Sequence, residues 1–209
     1  MRRIKTLAAL LALALAAAPV AAQTLPPRDE CAADADFARF RAELLDIAAR
    51  HDGRRLLAIV AEDISFSFGG EAGRADFARE WGLATPETSG LWPVLANALV
   101  LGCTRDGEER AAPYFSQRMP ESLDPFTSGV ARAGARLYRE RSNEGEGSVI
   151  SWAVLAEVTI ESDGWGRVRL ADGRTGYIEA GSVISPIDYR AIFGRRGGQW
   201  RMVAFIAGD

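Results

Sequence analysis

His51 is the single histidine of the chain, and Asp52 follows it, so an imidazole with a carboxylate to orient it is present in principle. The pair stands just before Gly53, where a helical pattern stops, and no nucleophile motif flanks it. A solvated helix end, its cation at the negative end of the dipole, accounts for it better. Cys103 with His51 is the one combination available for a thiolate mechanism, and nothing around either residue supports it. The other cysteine is Cys31. One histidine and two separated cysteines do not build a four-ligand zinc site. Glu62-Asp63 and Glu108-Glu109 resemble a hydrolase carboxylate pair only by adjacency, and they read as solvated acids. Gly69, Gly70 and Gly73 lack the Lys-Ser/Thr of a phosphate loop, while Asp163-Gly164 and Asp172-Gly173 are turn residues first. No catalytic residue, metal or cofactor follows from these patterns. The better candidates are aromatic: Tyr138, Trp152 and Trp165, with Arg167 and Arg169, could wall and orient a bound peptide.

Composition narrows the classes. The 209 residues carry 25 basic and 28 acidic side chains, a formal net charge of −3. Residues 1–22 read as an export leader: Arg2, Arg3 and Lys5, then an apolar run from Leu7 to Val20, then Val20-Ala21-Ala22 as the cleavage site. Pro19 and the shortness of the run disfavour a spanning helix. Removing three basic residues leaves 22 against 28 acids, about −6, which disfavours nucleic acid or an anionic membrane as partner. The expected location is periplasmic or secreted. In such an oxidising compartment a Cys31–Cys103 disulfide is expected, tying an N-terminal arm to the end of a helix.

The elements that must position the aromatics follow from periodicity. Residues 23–34 form an arm. Asp34 or Asp36 caps a helix whose Phe37, Phe40, Leu44, Ile47 and Ala48 recur every three or four residues, with Gly53 as its left-handed exit. Leu56 to Val60 is ambiguous between helix and strand. Ile64, Phe66 and Phe68 alternate as in a half-buried strand. Short helices are expected around Phe77–Trp81 and from Leu91 to Val100, and a charged, Pro-punctuated stretch from Thr104 to Asp124. From residue 129 short strands take over: Val130–Tyr138, Val149–Trp152, Val154–Glu161, and the hairpin Trp165–Ile178 turning on Asp172-Gly173. Val168 and Leu170 face inward and Arg167 and Arg169 outward. A two-residue turn sets Tyr177 near Val168, hence in the core, and leaves Trp152 undecided. Residues 186–209 form a second hairpin, too exposed to stand alone, which must pack on the N-terminal part. The fold class is α+β: a helix-rich part over 35–126 with few strands, a small five-stranded barrel over 129–185, and the closing hairpin.

Ala135-Arg136-Leu137-Tyr138, a hydrophobic strand, and DGWGRVRLADGRTGYIEAGSVI together resemble the bacterial SH3-like domain over 129–185. Leu137-Tyr138 stands where that family has Val-Arg. The helix, lone strand and closing WRMVAFIAGD hairpin are similar to the nuclear-transport-factor-two-like cone fold, which makes the SH3-like module an insertion. The resemblance implies a non-enzymatic exported binding or scaffolding protein of the cell envelope. Its partner would be a peptide, either a cell-wall stem peptide of peptidoglycan or a segment of a protein. Two other functions remain open. One is a small-molecule site among Phe66, Phe68, Trp81 and Trp92, with the barrel purely structural. The other is a cell-wall hydrolase, since cysteine peptidases carry such modules, although Cys103 and His51 stand in reversed order.

Overall fold

The computed structural model describes residues 23–70 and 72–208, so the leader-like segment lies outside the described residues. Among them no helix is long and apolar enough to cross a membrane.

Helix α1 spans Ala35–Arg50, and its start is set by Asp34, whose carboxylate accepts the Phe37 N–H at 3.1 Å. Its apolar stripe is buried. The exit differs from expectation: His51 itself takes the left-handed conformation (φ 54), and Asp52 caps a second helix, α2 (Gly53–Ile59), by accepting the Arg55 N–H at 3.0 Å. Gly53 is thus the first residue of a helix, and the ambiguous run Leu56–Val60 is helical until it enters strand β1 (Val60–Ser65). Phe68 lies beyond that strand and is exposed. Helices α3 (Arg74–Glu80) and α4 (Leu91–Val100) follow.

The expected loop after α4 contains a hairpin, β2 (Thr104–Asp106) and β3 (Glu109–Ala112), turning at Gly107 with φ 53. The segment 129–185 supplies β4 (Gly129–Ala131), β5 (Arg136–Leu137), β6 (Ser148–Val149), β7 (Val154–Ile160), β8 (Trp165–Leu170), β9 (Thr175–Glu179) and β10 (Val183–Ile184). The chain closes with β11 (Arg190–Arg196) and β12 (Gln199–Ile206).

These strands form two five-stranded sheets. The first has the order β1-β12-β11-β3-β2, antiparallel except for β1 beside β12. The closing hairpin therefore completes the sheet of the N-terminal part. Helices α1 and α4 cover it, and Phe37 meets Phe193 at 5.4 Å and Trp200 at 5.0 Å between ring centroids. Burying each such ring stabilises the fold by about 2–3 kcal/mol. Simple alternation along β12 fails because Val203 is bulged out of the pairing. Trp200 and Met202 face the core, and then Phe205 does.

The second sheet has the order β10-β4-β7-β8-β9, and β5 and β6 pair separately. Its core is Leu137, Ile150, Leu155, Val168, Leu170 and Ile178 with small alanines. The expected first strand, Val130–Tyr138, is broken near Gly134 (φ 75) into β4 and β5. Along β7 a bulge at Ala156 turns Leu155 inward, and Ile160 is exposed. A third cluster of Leu101, Tyr114, Phe115, Val130 and Ile184 joins the two sheets.

Residues 23–31 run across that junction. The Val154 N–H donates to the Gln23 carbonyl at 2.9 Å, and the Leu25 N–H to the Trp152 carbonyl at 2.8 Å. The Cys103 N–H then donates to the Arg28 carbonyl at 2.9 Å, and Cys31 and Cys103 form a disulfide.

Candidate outward face of the second sheet

The turn between β8 and β9 decides what this face contains. Asp172-Gly173 does not make a two-residue turn: only Gly173 has positive φ (88), and the Gly173 N–H donates to the Leu170 carbonyl at 2.9 Å. The loop has three residues, a type I turn followed by a left-handed glycine, closed by the Leu170 N–H on the Arg174 carbonyl at 2.8 Å. The Asp172 carboxylate accepts the Arg174 N–H at 3.0 Å and steadies the bend. One extra loop residue shifts the pairing by one. Tyr177 therefore lies opposite Arg167 rather than Val168, and Gly176 takes the Val168 position. A shift by one exchanges faces, so Tyr177 belongs to the outer face and Ile178 to the core, a correction to the sequence reading.

The outer face then reads in cross-strand rows. Trp165 pairs with Glu179, Thr159 and Tyr177 flank Arg167, and Glu157 and Thr175 flank Arg169. Tyr138 enters through an isolated bridge to Tyr177, with N–H to carbonyl distances of 2.8 and 2.9 Å. That approach requires glycine at 176, where a Cβ would lie 2.4 Å from the Tyr138 carbonyl oxygen. The Tyr138 ring stands edge-on to Trp165 with centroids 5.5 Å apart.

Charged groups frame these three aromatics. Arg141 lies over the Tyr177 ring at 5.4 Å and pairs with Asp163 at 3.0 Å and Glu161 at 3.5 Å. Asp163 is held below the ordinary carboxylate range, first by the Trp165 N–H it accepts, then by Arg141, against the opposing push of desolvation. Arg169 is tied to Glu157, which it holds below its usual pKa, and so sits at the far end of the face as half of an ion pair. Arg167 is exposed and is in none of the ion pairs among the described residues. Beside Tyr138 a cleft of about 640 Å³ is lined by Arg139, Glu140, Ser142, Glu144 and Glu146.

Of the residues singled out from the sequence, Tyr138, Trp165 and Arg167 come together and Arg169 lies on the same face. Trp152 does not join them. It adopts φ 61 and stacks on Phe115 at 6.0 Å, in the junction between the sheets. Sequence reasoning missed Tyr177 and Arg141. The first was hidden by the loop length, and the second sits in a loop whose charges have no periodicity.

The alternative residues lie elsewhere. Trp92 is buried, stacks on His51 at 5.4 Å and donates its indole N–H to the Pro86 carbonyl. Trp81 packs against Tyr189 and Phe205, and Phe66 against Phe77, so these rings fill the core of the first sheet. Phe68 lies outside under Arg190. With Cys103 in the disulfide, no thiolate faces His51. Asp29, Cys31 and Cys103 form the cluster of ligand-type groups among the described residues, and the same bond occupies both sulfurs.

No protein-family model matches the chain, and no curated protein matches it. Among solved structures the chain is similar to one whose name marks it as an NTF2 variant with five substitutions. The two are 14% identical, the match covers 84% of this chain and 99% of that one, and the TM-score of 0.32 carries no argument about fold or function.

Proposed function

We propose that this protein is an exported, non-enzymatic binding protein whose second sheet is an SH3-like module that takes a peptide on its outer face. The observation that carries the reading is the meeting of Tyr138, Trp165 and Tyr177 on one face, with Arg167 free of an ion pair beside them. Aromatic walls give a peptide contact area, and a guanidinium without a partner fixes a carboxylate. Strand order supports the SH3-like assignment. After β9 a single helical turn at Ala180–Ser182 leads into β10, which pairs back onto β4. The first sheet, with α1 laid across it, would be the cone-like part into which the module is inserted. The disulfide supports export, since such bonds persist in oxidising compartments. A cell-wall stem peptide is the first ligand to test because it offers both carboxylates and an extended backbone.

Co-sedimentation of the purified protein with intact peptidoglycan sacculi, beside Trp165→Ala and Arg167→Ala, tests this. Binding is expected, weakened at least about tenfold, or 1.4 kcal/mol, by either change. Sedimentation unaffected by both substitutions would refute the assignment of the face.

A further inference from the structure

A second site is built into the first sheet, on a different set of residues. Where β3 and the tip of the closing hairpin pass the start of α1, a cleft of about 430 Å³ opens between Asp34, Glu108, Glu109, Arg110, Arg195 and Trp200. That volume lies within the range of small-ligand pockets.

Its walls hold an unusual concentration of polar groups for the mouth of an apolar core. Arg110 is 6% exposed, and cross-strand pairing sets it opposite Phe193. Its terminal nitrogens donate to the Glu109 carbonyl at 2.8 Å, the Gly107 carbonyl at 3.3 Å and Asp34 at 3.1 Å, but its Nε–H has no acceptor. Trp200, also 6% exposed, has no acceptor for its indole Nε1–H. A buried donor without a partner is costly, and such groups in folded proteins are few. Two of them line one cleft.

Two guanidiniums also lie over the Trp200 ring, Arg110 at 5.2 Å and Arg195 at 4.8 Å. Arg195 is half-exposed, donates to the Gly198 carbonyl at 2.7 Å and has Asp36 at 3.6 Å, a loose pair. At the β2–β3 turn on the rim of the cleft Glu108 is exposed and is in no ion pair with a described residue, whereas alternation along β3 turns Glu109 to the face opposite Arg110. The cleft therefore brings together two N–H donors without acceptors, a half-exposed guanidinium and, at its rim, a carboxylate outside any ion pair.

We propose that this cleft binds a small zwitterion of the amino-acid type, its carboxylate taken by Trp200, Arg110 and Arg195 and its ammonium by Glu108. Both donor nitrogens are closed off from solvent and Arg195 lies over the indole, so binding requires Arg195 to leave the ring and the Gly198 carbonyl. A simple anion would leave Glu108 unanswered, and a simple cation would leave the donors unanswered.

The test is titration of the purified protein with L-alanine, L-phenylalanine and L-glutamate, followed through the indole N–H resonance of Trp200 by two-dimensional NMR. That resonance is assigned by its loss in Trp200→Phe or, should that variant fold poorly, by its proximity to the Phe37 ring. At least one free amino acid is expected to move it downfield saturably, as an N–H gaining an acceptor does. The N-acetylated and amidated forms of that amino acid should bind at least tenfold more weakly. The variant Glu108→Gln should weaken the free amino acid tenfold while leaving the N-acetylated form unchanged. A Trp200 resonance unmoved at millimolar concentrations of all three, or acetate moving it as effectively as the amino acids, would overturn the proposal. Sacculus binding reports the other face, so the two assignments stand or fall separately.

Discussion

Removing the disulfide gives the sharpest check on how the N-terminal arm is tied to the core of the first sheet. Cys31 and Cys103 are separated by 72 residues, and both are buried. Closing a loop of that length lowers the entropy of the unfolded chain enough to stabilise the native state by about 4 kcal/mol at 25 °C. For a chain of this size each kcal/mol moves the melting temperature by roughly 2–4 °C, so Cys31→Ala/Cys103→Ala should melt about 8–16 °C lower. Urea unfolding, followed by both far-ultraviolet circular dichroism and tryptophan fluorescence, measures the loss. The slope against urea should rise, because the unlinked chain exposes more surface when unfolded. Unfolding of the unmodified protein in a reductant should reach the midpoint of the double variant. A midpoint within about 1 kcal/mol of the parent, with the thiols of the parent shown to be oxidised, would refute the argument that the bond acts through chain entropy.

Three further outcomes follow from particular contacts. Gly176→Ala should destabilise by about 1–3 kcal/mol in urea and abolish peptide binding, because its methyl group would meet the Tyr138 carbonyl oxygen at 2.4 Å and part β9 from Tyr138. Phe115→Ala removes a fully buried ring at the junction and should cost about 3–5 kcal/mol, with the two sheets exchanging amide hydrogens independently in the variant. Acid should destabilise the protein in a defined window. Glu30 is held below its usual pKa, first by the hydrogen bond from Arg118, and Asp34 likewise, first by the Phe37 N–H, each against desolvation. A carboxyl whose pKa is lowered by folding stabilises above its unfolded pKa and loses that contribution as the pH falls through the folded one. The urea midpoint should therefore be flat from pH 7 to about 5 and fall below about pH 4, less steeply in Glu30→Gln.

The parts of the fold legible in the sequence are those where one physical signal acts alone. Helix α1 has a side-chain cap and an unbroken stripe from Phe37 to Ala48, and both survive in the structure. The α+β class follows from that helix and from the period-two runs after residue 129. What escaped depends on a single residue of backbone geometry. His51, rather than the glycine two residues later, takes the left-handed position. Val203 and Ala156 bulge, so inward parity along β12 and β7 changes partway. The β2–β3 hairpin buries a polar residue on each face, Thr104 on one and Arg110 on the other, and has no apolar alternation to announce it. At the candidate face the same lesson is sharper. Trp165 and Arg167 were placed by parity within one strand, whereas Tyr177 depends on parity across a turn, where two loop residues or three give opposite answers. Trp152 has no strand around it to assign a side, and its packing against Phe115 joins segments 37 positions apart in the sequence.

The position of β12 has a consequence for the order of events during synthesis. This strand lies between β1 and β11 and carries Trp200, Met202 and Phe205 into the core built by α1, yet it is made after every other described element. Until residues 199–206 emerge, Phe37 lacks Trp200 against it and β1 lacks the strand it pairs with. The N-terminal part therefore waits, open, through the making of everything between, while the second sheet draws on local hairpins and can close early. A chain that postpones its largest core in this way leaves the apolar stripe of α1 without its full cover through most of the order in which its elements are made.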